Sequence, residues 1–359
     1  MDKGQRKPSG RWTNSNHAWR KVVSPDSCRQ QDVGDISLDS SYRNVRTEFI
    51  NCSQEELDRR EDLACPTMIG ICPHMCPESE RLKRERLRDL AVFERLHGNT
   101  TKTSSDLAVK KFCRTLSIKD IHPSEVRPLP VLDNTLTYLL NLTDSTDHPF
   151  EVVHDFIFDR TRSIRQDISI QKLVTNETVA MLEKVVEFHV VSHQKLQRCA
   201  KSSSLSSAQH LNMEQLIKSL NTLFDLYDGN KSSANSHPKQ AEFRSLYLLL
   251  HLDYTNQNLG EPLCIWLQKL TPQIMHSKEV LFARKLLRYF QLGYYKQFLS
   301  AISAEASHLQ HCVLEPYIFQ ARVLCLSCIN DVGYKAHPYS LSHLAKLLIL
   351  KVYMMLICF

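Results

Sequence analysis

The sequence predicts an all-α fold in which helices stack as a TPR/PCI-like repeat scaffold. Apolar residues recur at three- and four-residue spacing over long stretches, which is typical of amphipathic helices. Nine glycines occur in 359 residues, where average usage would give about 25. In the second half, successive helical segments of similar length favour antiparallel pairs and hence an α-solenoid.

Composition and charge are those of a globular protein with local basic regions. The chain is 42% hydrophobic and 23% charged, with a formal net charge of +6. Residues 1–60 are polar and aperiodic, and we expect them to form a disordered basic tail. The first residues lack the apolar core of a secretory signal, so a reducing compartment is expected, with most of the 12 cysteines free and buried.

A cysteine-rich stretch precedes the first predicted helix. Cys65, Cys72, His74 and Cys76 carry side chains that bind zinc, but their spacing does not match the paired knuckles of structural sites. A proline follows each cysteine, which favours an extended segment. We therefore expect no metal here.

A basic helix is predicted from Pro77 to His97, ended by Gly98. Its basic side chains are either a solvated face or a docking surface for an acidic partner or RNA. The candidate residues for binding a partner or RNA are Arg81, Lys83, Arg84, Arg86 and Arg88.

Three short elements follow this helix. Residues 99–105 read as a linker, and a helix is expected through Val109, Phe112, Cys113 and Leu116. The run from His122 to Pro130 contains three prolines and predicts an extended connector. An apolar helix then runs from Val131 to Leu142.

The segment from Phe150 to Gln171 is the most informative of the chain. Its apolar residues Val153, Ile157, Ile164 and Ile168 share one helical face. Arg160 falls on that same face, so it must either extend to the surface or meet a carboxylate inside. We predict a structural role for the charged residues Asp159, Arg160, Arg162, Arg165 and Asp167.

The second half reads as a series of helices. A helix is predicted from Val179 to Gln197, and the serine-rich run from Lys201 to His210 is the predicted subdomain boundary. Further helices are expected near 211–227, 240–254, 262–270, 278–292, 294–309 and 313–329. The predicted domains are 1–60, 61–200, 201–335 and 336–359.

Four separated segments resemble the Sac-three/GANP family in sequence and order. They read ICPHMCPESERLKRERLRDLAVFER, VKKFCRTL, PLPVLDNTLTYLLNL and FIFDRTRSIRQDISIQ. The resemblance is greatest to the short animal members of the family, which are associated with the centrosome and spindle. It implies two partners, a PCI-domain protein and a small acidic Sem/DSS-type protein, and it implies no cofactor.

The C-terminal residues depart from the family pattern. The run YSLSHLAKLLIL resembles the first helix of a winged-helix module, and nine residues, KVYMMLICF, follow it. This predicts an incomplete winged helix with an apolar tail. The apolar run contains Lys346 and Lys351 and is shorter than the ~20 residues of a membrane span, so no membrane contact is expected.

Two functions are compatible with the sequence, and a third is disfavoured. The first is a non-enzymatic scaffold acting through protein binding in centrosome duplication, spindle assembly and mitotic progression, located at the centrosome, in the cytoplasm and in the nucleus. The alternative is a scaffold of a TREX-type mRNA export complex that binds RNA. Catalysis is disfavoured because phosphate-binding and hydrolase motifs are missing, although Cys113, or Cys72 near His74, could be considered a nucleophile.

Overall fold

The structure, a computed structural model, describes residues 68–115, 121–144, 148–199, 203–229, 237–252, 262–332 and 340–350. All of them belong to one compact unit, Pro66–Phe359. Within these ranges the chain forms twelve α-helices and no strand, so the predicted all-α fold is confirmed. The predicted tail 1–60 and the residues after 350 lie outside the described part.

The helices, numbered in chain order, are as follows. The first half contains α1 (Glu78–Leu87), α2 (Leu129–Asn141), α3 (Phe150–Ile170) and α4 (Asn176–Cys199). The second half contains α5 (Ser203–Gly229), α6 (Gln240–Leu250), α7 (Leu263–Gln268), α8 (Pro272–Met275), α9 (Lys278–Gln291), α10 (Tyr295–Glu305), α11 (His308–Val332) and α12 (Leu341–Leu348).

The predicted helix from Pro77 to His97 is wrong in its second half. The α-helix ends at Leu87, and Arg88 adopts a left-handed conformation with φ 56°. The chain then makes two short 3-10 turns, Val92–Glu94 and Leu96–Gly98. These turns place Glu94 at 0% exposure inside the protein, where its charge is needed by two arginines described below.

Two other predicted boundaries also differ from the structure. Residues 109–113, expected to be helical, have no regular secondary structure, because their backbone N–H groups donate to the carbonyl of Met75 and to side chains of α1 and α3. The serine-rich break ends early, since α5 already begins at Ser203. There, Gln209 of α5 donates a hydrogen bond to the carbonyl of Leu196 of α4, at 2.9 Å.

The core is formed where consecutive helices and helices distant in sequence pack against one another. Helices α4 and α5 pack along their length, α6 packs on α9, and α11 crosses both α4 and α6. One hydrophobic cluster includes Leu132 of α2, Ile157 and Ile164 of α3, and Phe243 of α6 and extends as far as Leu348 of α12. This continuous core makes α3 an internal support for the described residues that precede α2, which we call the N-terminal segment.

Helix α11 has the length and the apolar composition of a membrane-spanning helix. Its residues His308–Asp331 have a mean hydropathy of 1.4, and it is the one described helix that is long and apolar enough to cross a membrane. It packs against α4, α6 and α10. A core helix of a helical array meets the same criteria of length and composition.

A pair of buried histidines connects α3, α4 and α5. His154 Nε2 and His189 Nδ1 contact Asn212 Oδ1 at 3.1 and 2.9 Å, and the amide of Asn212 donates to the carbonyl of His189. The NH2 group of Asn212 is directed at that carbonyl, so the side-chain oxygen Oδ1 faces the two histidines. Oδ1 can only accept hydrogen bonds, so the proton lies on Nε2 of His154 and on Nδ1 of His189. Burial lowers the pKa of His154 and holds the pKa of His189 at about 3.

We expect the protein to lose stability as the pH falls below the ordinary histidine pKa of about 6.5. In that range the unfolded state binds protons that the buried His189 does not, so the folded state is disfavoured. His189 alone should cost about 1 kcal/mol between pH 7.5 and 5.5, measured by urea unfolding. His189→Asn keeps a donor near the position of Nδ1 and should reduce this pH dependence. If the unmodified chain and His189→Asn lost the same free energy of unfolding over this pH range, a neutral, buried His189 would be contradicted.

Candidate functional site: two buried ionic clusters and a basic surface

The N-terminal segment is held on α3 through two buried carboxylates. We call them the Glu94 cluster and the Asp167 cluster, after the acid at the centre of each. Both acids are at 0% exposure, and each contacts two cationic side chains. Buried charges of this kind are tolerated when they are paired and fully hydrogen-bonded.

The Glu94 cluster joins α1 and α3. Glu94 Oε2 accepts from the guanidinium of Arg84 and, at 3.1 Å, from Arg160 Nη2. Its other oxygen accepts from the backbone N–H of Val109 at 3.0 Å. Burial by itself raises the pKa of Glu94, but the charges of Arg160 and Arg84 outweigh it, so the pKa is lowered. The carboxylate is therefore ionised at neutral pH.

Arg160 is the predicted arginine on the apolar face of α3, and it meets carboxylates inside the protein. Besides Glu94 it pairs with Asp159, and its guanidinium lies 4.7 Å from the ring centre of Phe156. The side chain is 4% exposed. Of the two outcomes left open by the sequence, the structure shows the internal ion pair.

The Asp167 cluster joins α3 to the segments before α2. Asp167 accepts from Lys110 Nζ and from Arg127 Nε, each at 2.7 Å. Arg127 also donates to Ser163 Oγ at 2.9 Å, and that hydroxyl donates to the carbonyl of Lys110 at 2.7 Å. The cluster therefore closes on itself across three parts of the chain.

Gln171 extends this cluster to Gly70. Its amide nitrogen donates to the carbonyl of Arg127, and its oxygen accepts from the Gly70 N–H, both at 2.9 Å. A Cβ added at Gly70 would lie 2.5 Å from the carbonyl oxygen of Val126. Glycine is required here because the backbones approach so closely.

The remaining predicted structural residues lie outside the two clusters. Arg162 places its guanidinium carbon 3.9 Å from the ring centre of Phe112, and Arg165 donates to the side-chain oxygen of Gln215. Neither forms an ion pair in the described part of the chain. Their contribution to stability stays a prediction.

Three charged residues of the clusters were not predicted from the sequence, namely Glu94, Lys110 and Arg127. Each directly follows an apolar residue that is buried or partly buried, Phe93, Val109 or Val126. A charge directly after an apolar residue was the available signal, and it is a weak one because Glu94 and Lys110 are each followed by a second charged residue. The sequence could not have shown which acid meets which base.

The basic residues proposed for partner binding separate into two groups. Lys83, Arg86 and Arg88 are exposed and Arg81 is partly exposed. Arg84 is 4% exposed and belongs to the Glu94 cluster. Its inclusion in a docking surface was therefore wrong, because its guanidinium is directed inward to Glu94 and to the carbonyl of Val109. We call the other four side chains the α1 basic face.

The described cysteines are free thiols, and Cys113 is among the exposed ones. Cys72 is buried, its Sγ donates to the carbonyl of His74 at 3.3 Å, and burial raises the pKa of this thiol. Burial also raises the pKa of Cys76 to about 12. No group of three or more potential ligands is placed to hold a metal within the described ranges, and Cys65 lies outside them.

Replacing Arg160 by alanine should lower the free energy of unfolding by about 2–3 kcal/mol, because Glu94 and Asp159 then lose one counter-charge in a buried setting. The loss is limited because Arg84 still neutralises Glu94. Urea unfolding followed by far-UV circular dichroism measures it. Unchanged stability would show that the ion pair is solvated in solution.

The described residues form an all-α helical array whose N-terminal part is fastened to α3 by buried ion pairs. A family model for the SAC3/GANP family matches residues 75–358. The chain belongs to the SAC3/GANP family.

Curated relatives agree with this assignment. The chain is 37% identical over 269 residues to SAC3 family protein B of Arabidopsis thaliana, covering 74% of this chain and 16% of that protein. It is 31% identical over 294 residues to SAC3 family protein 1 of Schizosaccharomyces pombe, covering 76% and 27%. It is 30% identical over 280 residues to Protein xmas of Drosophila melanogaster, covering 75% and 13%. The matched part is thus a small share of each relative.

Proposed function

We propose that this chain is a non-enzymatic scaffold that binds protein partners through surfaces held in place by α3. The observation that carries the proposal is the division of charges in the N-terminal segment. Arg84, Lys110 and Arg127 are used internally to fasten the segment to α3 or to its neighbours. Lys83, Arg86 and Arg88 of the α1 basic face stay exposed on the fastened segment, so they are presented in a fixed orientation.

A second surface supports protein binding at the other end of the array. Phe319, Val323 and Leu326 follow one face of α11 at helical spacing and are 71%, 50% and 40% exposed. Clustered apolar side chains on a surface are typical of protein-contact sites. We propose that a PCI-domain protein and a small acidic Sem/DSS-type protein, the partners implied by the family resemblance, bind this scaffold.

The proposed cellular role is centrosome duplication and spindle assembly, with a location at the centrosome, in the cytoplasm and in the nucleus. The resemblance to the short animal family members supports this role. Depletion of the protein should change centrosome number while leaving the distribution of polyadenylated RNA normal. Nuclear accumulation of that RNA with normal centrosomes would instead assign the chain to a TREX-type export complex.

RNA binding is the second candidate function, and the α1 basic face is the observation that favours it. Phosphate contacts by its side chains would release counterions, so binding would weaken steeply as salt increases. Titration of the full chain with a single-stranded RNA at two salt concentrations tests this function. Binding that is absent, or insensitive to salt, would remove it.

Reversing charge on the α1 basic face should weaken partner capture without unfolding the protein. We expect Lys83→Glu combined with Arg86→Glu to reduce capture of the PCI-domain protein by about tenfold or more, since rim charges set association. Stability should change by less than about 0.5 kcal/mol because both side chains are exposed. Quantitative co-purification with the full chain measures the effect.

The matched control carries the same charge reversal on another exposed helix surface, Lys278→Glu with Arg284→Glu on α9. This control should bind as the unmodified chain does. Equal losses in both variants would mean that net charge matters and that the α1 basic face is not the docking surface.

A further inference from the structure

Three arginines act on one another where the segment 108–114 meets α3: Arg162 and Arg165 lie one turn apart on α3, and the charge of Arg114 acts on Arg162. Arg114, Arg162 and Arg165 make no ion pair in the described part of the chain. In the same region Arg84, Arg127 and Arg160 each contact a buried carboxylate. We call the unpaired group the arginine patch.

Arg165 is the most confined member of the patch. One end of its guanidinium donates to the side-chain oxygen of Gln215, a neutral group, while its buried Nε has no hydrogen-bond partner. Burial, with the charge of Arg162 as the smaller cause, lowers the pKa of Arg165 to about 10. The protein therefore keeps a cation here without supplying the acid that would compensate it, which is costly unless a ligand supplies one.

Arg162 is held in a fixed orientation next to Arg165. Its guanidinium carbon lies 3.9 Å from the ring centre of Phe112 and 5.6 Å from that of Phe158. A stacked guanidinium keeps its N–H groups at the edge, where they can bind an anion in a bidentate manner. Arg114 is exposed and close enough for its charge to lower the pKa of Arg162, after burial as the larger cause.

The nearest acids are engaged elsewhere. Asp159 pairs with Arg160 and accepts from the Phe112 N–H at 3.3 Å. Glu214 pairs with Lys218 on α5. Both still act on Arg162 through space, so the patch is a small spot of positive charge with carboxylates at its border.

We propose that the arginine patch binds the phosphate of a phosphorylated serine or threonine in a protein partner. A phosphomonoester carries nearly two negative charges and three acceptor oxygens, which matches several adjacent guanidiniums better than one carboxylate does. A long nucleic-acid backbone is disfavoured because Asp159 and Glu214 border the spot and would repel its further phosphates. The inference rests on the proposed scaffold function, because it assumes a protein ligand.

The test uses the full chain and a fluorescein-labelled peptide pool in which one phosphoserine is flanked by randomised positions. Fluorescence anisotropy compares it with the same pool lacking the phosphate. We expect the phosphorylated pool to bind about tenfold tighter or more, the usual effect of a few charge-assisted hydrogen bonds. Equal binding of the two pools would overturn the proposal.

Variants locate the binding. Arg162→Gln, Arg165→Met and Arg114→Gln should each abolish most of the preference for phosphate, whereas Arg86→Gln on the α1 basic face should retain it. Arg165→Met should leave the thermal midpoint unchanged or higher, because a partly buried charge without an acid partner is removed. Arg114 is exposed, so its variant tests the patch even if a substitution on α3 disturbs folding. Retained preference in all three patch variants would overturn the proposal.

Two further measurements separate the alternatives. The first is binding of a single-stranded oligouridine to the unmodified chain and to the three patch variants, with competition against the phosphopeptide. If the oligouridine binds, loses affinity in all three variants and displaces no phosphopeptide, the patch is an RNA site and the proposal is overturned. Co-purification with the PCI-domain protein reports on the scaffold function separately. Phosphate preference without that complex would support the patch while contradicting the proposed partner.

Discussion

Asp167→Asn is expected to lower the free energy of unfolding by about 3–5 kcal/mol, because it leaves two buried cations without their acid. Lys110 and Arg127 both bond to this carboxylate at 2.7 Å, and their side chains are 8% and 0% exposed. Asparagine keeps the size of the side chain, so lost charge compensation accounts for the effect. The measurement is urea unfolding at neutral pH followed by far-UV circular dichroism.

The matched control is Asp155→Asn, which makes the same change on an exposed position of the same helix. It should alter stability by less than about 0.5 kcal/mol. Adding Lys110→Met to Asp167→Asn should recover part of the loss, because one uncompensated charge is then removed. A loss below about 1 kcal/mol for Asp167→Asn would contradict the buried cluster, since a solvated ion pair contributes that little.

Glu94→Gln should cost about 3–4 kcal/mol for the same reason in the second cluster. Arg84 would lose its nearer carboxylate and keep Glu80, at 3.8 Å, with hydrogen bonds to the carbonyls of Asp89 and Val109. Arg160 would retain Asp159 alone, a residue whose side chain is 27% exposed. The expected loss is therefore somewhat smaller than that for Asp167.

The pH dependence of Glu94→Gln provides an independent check. The folded state lowers the pKa of Glu94, so its contribution is present above the ordinary glutamate pKa and disappears as the pH falls through the lowered value. The difference between the unmodified chain and Glu94→Gln should therefore shrink in acid. The control is Glu78→Gln, at a side chain that is 73% exposed, and it should show neither the loss of stability nor the pH effect. If the difference in free energy of unfolding between the unmodified chain and Glu94→Gln stayed constant with pH, the ionised cluster would be contradicted.

The long helices could be predicted from the sequence because each contains its own periodic signal. The segment Phe150–Gln171 was expected to be helical, and α3 spans Phe150–Ile170. The helices predicted near 240–254, 278–292 and 294–309 correspond to α6, α9 and α10 with small shifts at their ends. Apolar spacing determines such elements locally, whereas their last residues depend on caps and neighbours.

Segments between Leu87 and Leu129 could not be predicted in the same way. Helical spacing at Leu87, Leu90 and Phe93 favoured one continuous helix, yet the structure ends it at Leu87 and turns Glu94 inward. The ion pairs formed by Glu94 and Lys110 connect residues up to 66 positions apart in the chain. No local pattern encodes such partners.

The sequence by itself determined the all-α class, the main helices and the requirement that Arg160 find either solvent or an acid. These features depend on side-chain periodicity and on the cost of burying a charge, which short segments already contain. Only the tertiary structure decided that Arg160 meets Glu94, that Arg84 is internal, and that Arg114, Arg162 and Arg165 remain without an acid. The reason is that charge pairing depends on which distant segments pack together, and packing is fixed by the whole core.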